Sequence, residues 1–443
     1  MKSYLYFILF LLCFFAKAQN NFEISDQEKV SIPFKLINNL IFIPINVNGS
    51  ELTFLLDTGV SETIIFSLED KELNLYETEK IKFTGLGGSE SIEGLKSVNN
   101  VAKISNNFIN TSFTLFIILN EDFNISFHVG IPVNGIIGYH FFKNHRVFID
   151  YIAQKITIYN NPKKLDKKIK KFTIVPISIE ENKPYFYAGV EMTNALEKEK
   201  LLIDIGNSDP IWLFPTLIKD FVYNRPNIED FIGRGFNGNI FGKRSRIHHL
   251  YIENFKFTKP LIAMPDKYSI QHVNMVKDRK GSIGSEILRR FYVVFDYPNQ
   301  LMYLKKNSHF DDPFSFNMSG LDFKHDGMEW KEEKLGFDSS KSDKINDGTN
   351  VFKSSFQVQF VLKPMFSIAG VRKDSPAYKA GLLANDKLIS INGKKASEFT
   401  LQKIFNLMKS EEGKTIKIVV LRNHKDLEFK FVLEDPIPYQ EQE

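Results

Sequence analysis

Two aspartates in this chain sit in matching surroundings, Leu55-Leu56-Asp57-Thr58-Gly59 and Leu202-Ile203-Asp204-Ile205-Gly206-Asn207-Ser208. In each, an apolar run delivers a carboxylate to a tight loop, where Gly59 or Gly206 lets the backbone bend and bring amides close. If the two loops meet on a pseudo-twofold axis, Asp57 and Asp204 stand side by side. Two carboxylates that close cannot both ionise easily, so they share a proton. Such a pair can hold one water. The ionised partner takes a proton from it, and the protonated partner polarises a substrate carbonyl. That is peptide hydrolysis without metal or covalent intermediate, so no cofactor and no metal are expected.

The elements that would bring the loops together form an internal repeat over residues 30–305. Segment 41–66 (IFIPINVNGSELTFLLDTGVSETIIF) and segment 184–214 (PYFYAGVEMTNALEKEKLLIDIGNSDPIWLF) share an order: strand, polar turn, strand into Asp-x-Gly, second apolar run. Gly85 lies 28 residues after Asp57, and Gly233 lies 29 after Asp204. Gly85, Gly87 and Gly94 have the same mutual spacing as Gly233, Gly235 and Gly242. Gly138 lies 81 residues after Asp57, and Gly284 lies 80 after Asp204. An Asp-Tyr pair follows each, Asp150-Tyr151 and Asp296-Tyr297. Two similar lobes are predicted, at 30–160 and 161–310. The Lys-rich stretch Lys163 to Lys171 between them reads as a solvated linker or outer strand.

With these landmarks the chain resembles the aspartic proteases in their single-chain, two-lobed form. Leu55 to Gly59 and Leu202 to Ser208 are similar to the two catalytic loops of retroviral-type and pepsin-type enzymes. The resemblance implies Asp57 and Asp204 as catalytic residues, with Thr58, Gly59, Gly206, Asn207 and Ser208 as loop support. Ile136-Ile137-Gly138 and Ile283-Gly284 resemble the element that packs beneath those loops. Thr84-Gly85-Leu86-Gly87-Gly88 resembles a retroviral-type flap. The copy at 233–242 is either a second flap-like hairpin or an ordinary hairpin tip. Ile205 stands where the family has Thr or Ser, so only Thr58 offers a hydroxyl to tie the loops. Asn207 is expected to donate to Asp204, leaving Asp204 the readier to ionise and Asp57 the holder of the shared proton.

A further module is expected at 315–436. Gly320-Leu321-Asp322-Phe323 precedes a polar stretch, 325–353, read as a loop or disordered insertion. Strands are expected at 356–362 and 366–371. In Asp374-Ser375-Pro376-Ala377-Tyr378-Lys379-Ala380-Gly381-Leu382, Pro376 favours a first helical turn and Gly381 a helix stop. Asp386 to Gly393 reads as a strand into an Asn-Gly turn. Leu401, Ile404, Phe405 and Met408 have helical spacing within 400–409. Two closing strands follow, at 415–421 and 427–433. These motifs resemble a PDZ domain of the bacterial protease-associated kind. The resemblance implies a peptide groove beside a carboxylate loop, for which Gly320, Leu321 and Phe323 are the candidates. The expected fold class is mainly β, a bilobal acid-protease β-barrel fold followed by a PDZ-like α+β domain.

The 443 residues carry a net charge of +4, which gives no reason to expect nucleic acid or an acidic membrane surface as partner. Residues 1–18 read as a signal peptide: Lys2, an apolar run too short to span, and a small-x-small site at Ala16-Lys17-Ala18. Cleavage there removes Cys13, the one cysteine, so the mature protein has no disulfide and no stable membrane anchor. An exported protein is expected, periplasmic or extracellular, in a bacterial envelope. Its expected partners are a peptide or protein substrate and a C-terminal peptide ligand of the PDZ module. Gly206-Asn207-Ser208-Asp209 lacks the surroundings of a serine nucleophile. His248-His249 has no acidic or Cys neighbour in sequence and reads as a surface strand. The rival function is an inactive protease homologue that holds an extended chain.

Overall fold

The structure, a computed structural model, describes residues 21–439 except 26, 70, 84–91, 119–123, 161, 193–195, 219–220, 222, 224, 236–237, 271–274, 339–341, 345–349 and 353–354. The signal-peptide reading of 1–18, with Cys13, lies outside these residues. So does the flap reading at Gly85, Gly87 and Gly88. Among the described residues no helix is long and apolar enough to cross a membrane.

The sequence repeat is a repeat of strand pairings. In the first lobe the strand Ser50–Leu56 pairs antiparallel with Leu40–Val47 and parallel with Gly135–Ile137. Gly135–Ile137 pairs antiparallel with Ile64–Ile65, which runs parallel to Phe108–Ile117. In the second lobe Leu196–Asp204 pairs antiparallel with Lys183–Glu191 and parallel with Arg279–Gly284. Arg279–Gly284 pairs antiparallel with Ile211–Leu213, which runs parallel to Leu261–Pro265. Each aspartate thus leaves a strand that is flanked on both edges, so its position is fixed by ladders and not by a free loop. Alternation does the rest: Leu52, Phe54 and Leu56 turn into the core, as do Leu201 and Ile203. The hairpin Ile228–Gly235 with Gly238–Arg246 occupies the 233–242 glycine copy.

A six-stranded sheet joins the lobes. Its centre is Arg146–Asp150 of the first lobe against Phe291–Asp296 of the second, with Val147 opposite Phe295 and Ile149 opposite Val293. The repeated acids serve its ends. Asp150 Oδ1 accepts the Ile152 and Ala153 amides, and buried Asp296 pairs with Arg146 at 2.6 Å.

The Lys-rich connection is not a linker or strand. Pro162–Ile169 is a helix. Leu165 and Ile169 are one turn apart and bury against Phe148, Val294 and Tyr303, while the lysines face outward. Lys168 lies over the Phe148 ring at 3.7 Å. The helical apolar pair outweighs the charge run as a structural signal.

The chain divides into two compact units. One holds both lobes: residues up to Asn124, Pro132–Phe314, and Ile437 onward. The other holds Ser315–Pro436 together with Ile125–Ile131. In this second unit the strands run in the order Leu321–Asp338, Ser355–Val371, Lys387–Ile391, Thr415–Arg422, Lys425–Val432. Ser375 caps the helix Pro376–Ala380 by accepting the Tyr378 amide, and Gly381 ends it at φ 95°. Thr400 caps Leu401–Met408 in the same way. Asn423 and His424, both at positive φ, close the last hairpin.

The stretch 325–353 was expected as a loop. Its first part instead continues the strand Leu321–Asp338, paired with Ser355–Val371 from Leu321↔Val371 to Asp338↔Ser355 through three register shifts. The expected strands 356–362 and 366–371 are one strand. Cross-strand pairing of charged and apolar residues holds this ribbon, and composition alone did not reveal it.

Candidate active site

Asp57 is held at the end of its strand by its amide, which donates to Ile137 O at 2.9 Å. Its Oδ1 accepts the Gly59 amide at 2.6 Å. Asp204 Oδ1 accepts the Gly206 amide at 3.2 Å. The two carboxyls meet at Gly59: a methyl group there would lie 3.0 Å from Asp204 Oδ1 and 3.1 Å from Asp57 Oδ1. Each glycine passes against the other loop's acid. A methyl group on Gly206 would lie 2.1 Å from Asp57 Cγ. Only glycine allows that approach.

Thr58 crosses between the loops. Its hydroxyl donates to Ile203 O at 2.6 Å and accepts the Ile205 amide at 3.0 Å. Ile205 has no hydroxyl to answer with. Its side chain is buried in the core, and its carbonyl accepts from Ser285 Oγ at 2.8 Å. Beneath the loops lie Gly138 and Gly284. A methyl group on Gly138 would come within 2.1 Å of Val60 O, and one on Gly284 within 2.1 Å of Asp209 O.

Burial pushes Asp57 well above the usual carboxylate range, and the Asp204 charge adds to that; the Gly59 amide opposes it. Burial also raises Asp204, but the Arg279 charge, the Asp57 hydrogen bond, the Gly206 amide and the Lys183 charge pull it back. Of the two acids, the surroundings favour the protonated form more strongly at Asp57. The expected cause was different. Asn207 does not donate to Asp204: its Oδ1 accepts the Asp209 amide at 3.0 Å, and its Nδ2 has no partner among the described residues. Asp209 is in turn held by Trp212 Nε1 and Arg244, each at 2.8 Å. This local turn fixes Asn207 away from the acid. Ser208 contributes its carbonyl, which accepts from Asn39 Nδ2 at 3.0 Å.

Arg279, Lys183 and Tyr297 are the residues that reading the sequence missed. Arg279 is two residues before Gly281, where the first copy has Val133 two before Gly135. Comparison of the copies marks that position as different, but it does not show that the charge bears on Asp204. Burial lowers the proton affinity of Arg279 and Lys183, and the Asp204 charge works against that in both. The buried Tyr297 hydroxyl has no hydrogen-bond partner among the described residues. Burial first, and then the Asp57 charge, raise it far above an ordinary phenol.

In the second unit Leu321 and Phe323 are fully buried in the core, and Gly320 sits at φ 78° with its carbonyl accepting the Arg372 amide. The strand they begin is an edge of its sheet. Against it packs the short helix Ser126–Val129. Gly130, at φ 79°, abuts Leu401 of the helix Leu401–Met408: a methyl group there would lie 3.0 Å from Leu401 Cδ1. Asp386, nearly fully buried, takes both Nε and Nη2 of Arg422 at 2.6 Å.

Comparison with known proteins meets this geometry at both ends of the chain. Residues 43–141 match the aspartyl protease family model, a span that contains Asp57, Thr58, Gly59 and Gly138. Residues 367–422 match the PDZ domain model. A probable CtpA-like serine protease of Staphylococcus haemolyticus is 30% identical over 101 residues, 23% of this chain. The chain covers 19% of the length of that curated relative. Among solved structures, basic 7S globulin from soybean aligns with 65% of this chain and 97% of its own at 9% identity and a TM-score of 0.41. The aspartic proteinase from Irpex lacteus aligns with 65% of this chain and 99% of its own at 13% identity and a TM-score of 0.41. This chain is an aspartic-protease-like protein with a PDZ domain on its C-terminal side.

Proposed function

We propose that the chain is an exported aspartic endopeptidase. The observation that supports this best is the meeting of the two carboxyls, Asp57 and Asp204, with the glycine of each loop against the acid of the other. In the proposed step Asp204 takes a proton from a water held between the acids. The water oxygen attacks the scissile carbonyl carbon, and Asp57 gives its proton to the carbonyl oxygen. Asp204 then passes its proton to the amide nitrogen as the C–N bond breaks, and Asp57 recovers a proton from the collapsing diol. One water is consumed, and both acids return to their starting states. The low-dielectric surroundings that raise Asp57 keep that proton in place until a carbonyl arrives.

The substrate class is a peptide or unfolded protein chain. The leader at 1–18 and the lack of any cysteine after it support export into a bacterial envelope. In the PDZ unit the proposed peptide groove runs between the edge strand beginning at Leu321 and the helix Leu401–Met408. Residues 125–131 lie against both walls, so a peptide ligand has to displace them.

Ile205 favours a second reading, a protease homologue that binds chains without cutting them, because it removes one side of the tie between the loops. Cleavage of a denatured protein by the full mature chain, beside Asp57→Ala and Asp204→Ala, separates the two. Proteolysis lost in both variants supports the enzyme. Equal activity in all three rules out the acid pair, and no cleavage by any of them supports the binding protein.

A further inference from the structure

His248 and His249 carry no acidic neighbour in sequence, but the fold supplies one. Glu191 ends the strand Lys183–Glu191 and stands directly opposite His249 in the antiparallel ladder. The His248 amide donates to Glu191 O at 3.0 Å, bending the chain just before the strand begins. In a regular strand consecutive side chains point to opposite faces. Here the bend places the two imidazoles edge to face, with centroids 4.0 Å apart. One ring nitrogen from each histidine and a Glu191 carboxylate oxygen all lie within 4.8 Å of one another. His249 Nδ1 is 3.0 Å from Glu191 Oε2.

The surroundings are built as well. The Tyr251 hydroxyl donates to Glu191 Oε2 at 3.1 Å. The Tyr439 hydroxyl hydrogen-bonds His248 Nδ1 and so orients that ring. Such outer hydrogen bonds fix ligand tautomer and direction at metal sites. Lys259 and Arg225 lie over the Tyr439 ring, each at 4.5 Å. Two imidazoles and one carboxylate are too few oxygens for a hard ion such as calcium, and they suit a metal that binds imidazole tightly.

We propose that Glu191, His248 and His249 form a zinc-class metal site, with a fourth position open to water. The site is structural. Glu191 lies eight residues along its strand from Lys183, about 27 Å at a rise of ~3.4 Å per residue, so it is remote from the acid pair's flanking cation. A bound ion would hold the strands Lys183–Glu191 and His249–Ile252 together and, through Tyr439, the last described turn of the chain.

The test is calorimetric titration of zinc into the untagged, chelator-treated full chain at neutral pH, with thermal melting and the visible spectrum of the cobalt(II) form as second readouts. We expect one ion per chain, a higher melting temperature with zinc, and cobalt bands of a low-coordinate nitrogen–oxygen site. His249→Ala and Glu191→Gln should each lose zinc affinity by about 100-fold or more, and Tyr439→Phe by about 10-fold to 100-fold. The exposed His128→Ala should bind as the parent does. Failure of the parent to bind zinc, or binding that His249→Ala and Glu191→Gln leave unchanged, would overturn the proposal.

Discussion

The Thr58 hydroxyl holds the backbone on both sides of Asp204, through Ile203 O at 2.6 Å and the Ile205 amide at 3.0 Å, and Ile205 has nothing to return. The tie between the loops is therefore carried by one residue. Thr58→Ala should leave a buried carbonyl and a buried amide without partners and cost about 2–4 kcal/mol, with activity lost beyond the stability effect. Thr58→Ser should keep most of both. Ile205→Thr takes an apolar side chain out of the core and should lower the urea midpoint. Urea melts and turnover of a denatured substrate measure all three.

Arg279 helps to keep Asp204 ionised. Arg279→Met removes that charge, so Asp204 should take up a proton at higher pH, and the acidic limb of the pH–rate profile should move upward. Asn207→Ala should leave that limb in place, since Asn207 bonds Asp209 and not Asp204. A profile that moves with Asn207 and not with Arg279 would reverse this assignment.

The raised Asp57 carboxyl makes stability depend on pH in a definite direction. Its folded-state affinity for a proton lies well above the unfolded value of 3.8. The folded state therefore holds a proton that the unfolded chain releases. That contribution is fully present below the unfolded value and is lost as pH rises through the folded one, at up to about 1.4 kcal/mol per pH unit. Asp57→Asn should be flatter over that range, gaining on the parent as pH rises. Chemical denaturation of both proteins from about pH 4 to pH 7 reads this difference.

Gly130 offers a test of the PDZ groove. Gly130→Val places a β-branched side chain at φ 79° and against Leu401, which should drive residues 125–131 off the groove walls. The full-length variant should bind a fluorescent peptide with an apolar C-terminus about tenfold more tightly than the parent. Equal affinity would mean that the segment does not compete.

What the sequence made legible was local or repeated. Asp57 and Asp204 stood out because strand-loop chemistry is local, and the two copies reported each other's register. Thr58 was identifiable as the crossing residue because it was the only hydroxyl in either Asp-x-Gly. Asn207 was not legible, because a short amide chooses between neighbours only when the Asp209 turn is formed. Arg279 and Lys183 reach Asp204 from separate strands, a relationship that spacing does not encode. Glu191 and His249 are 58 residues apart and meet only through a ladder. The helix Pro162–Ile169 was hidden by six lysines between 163 and 171 that obscure its single buried stripe. The ribbon built on Leu321–Asp338 looked polar because one of its faces carries the paired charges Glu329, Lys331, Glu333 and Lys363.

Residues 125–131 belong to the compact unit of Ser315–Pro436, and Ile437 onward belongs to the unit of the two lobes. The border between the units is consequently not a point on the gene. A clone cut at residue 315 would yield a C-terminal product that lacks its own first-lobe stitch and leaves Leu401 bare. It would also yield an N-terminal product without Tyr439.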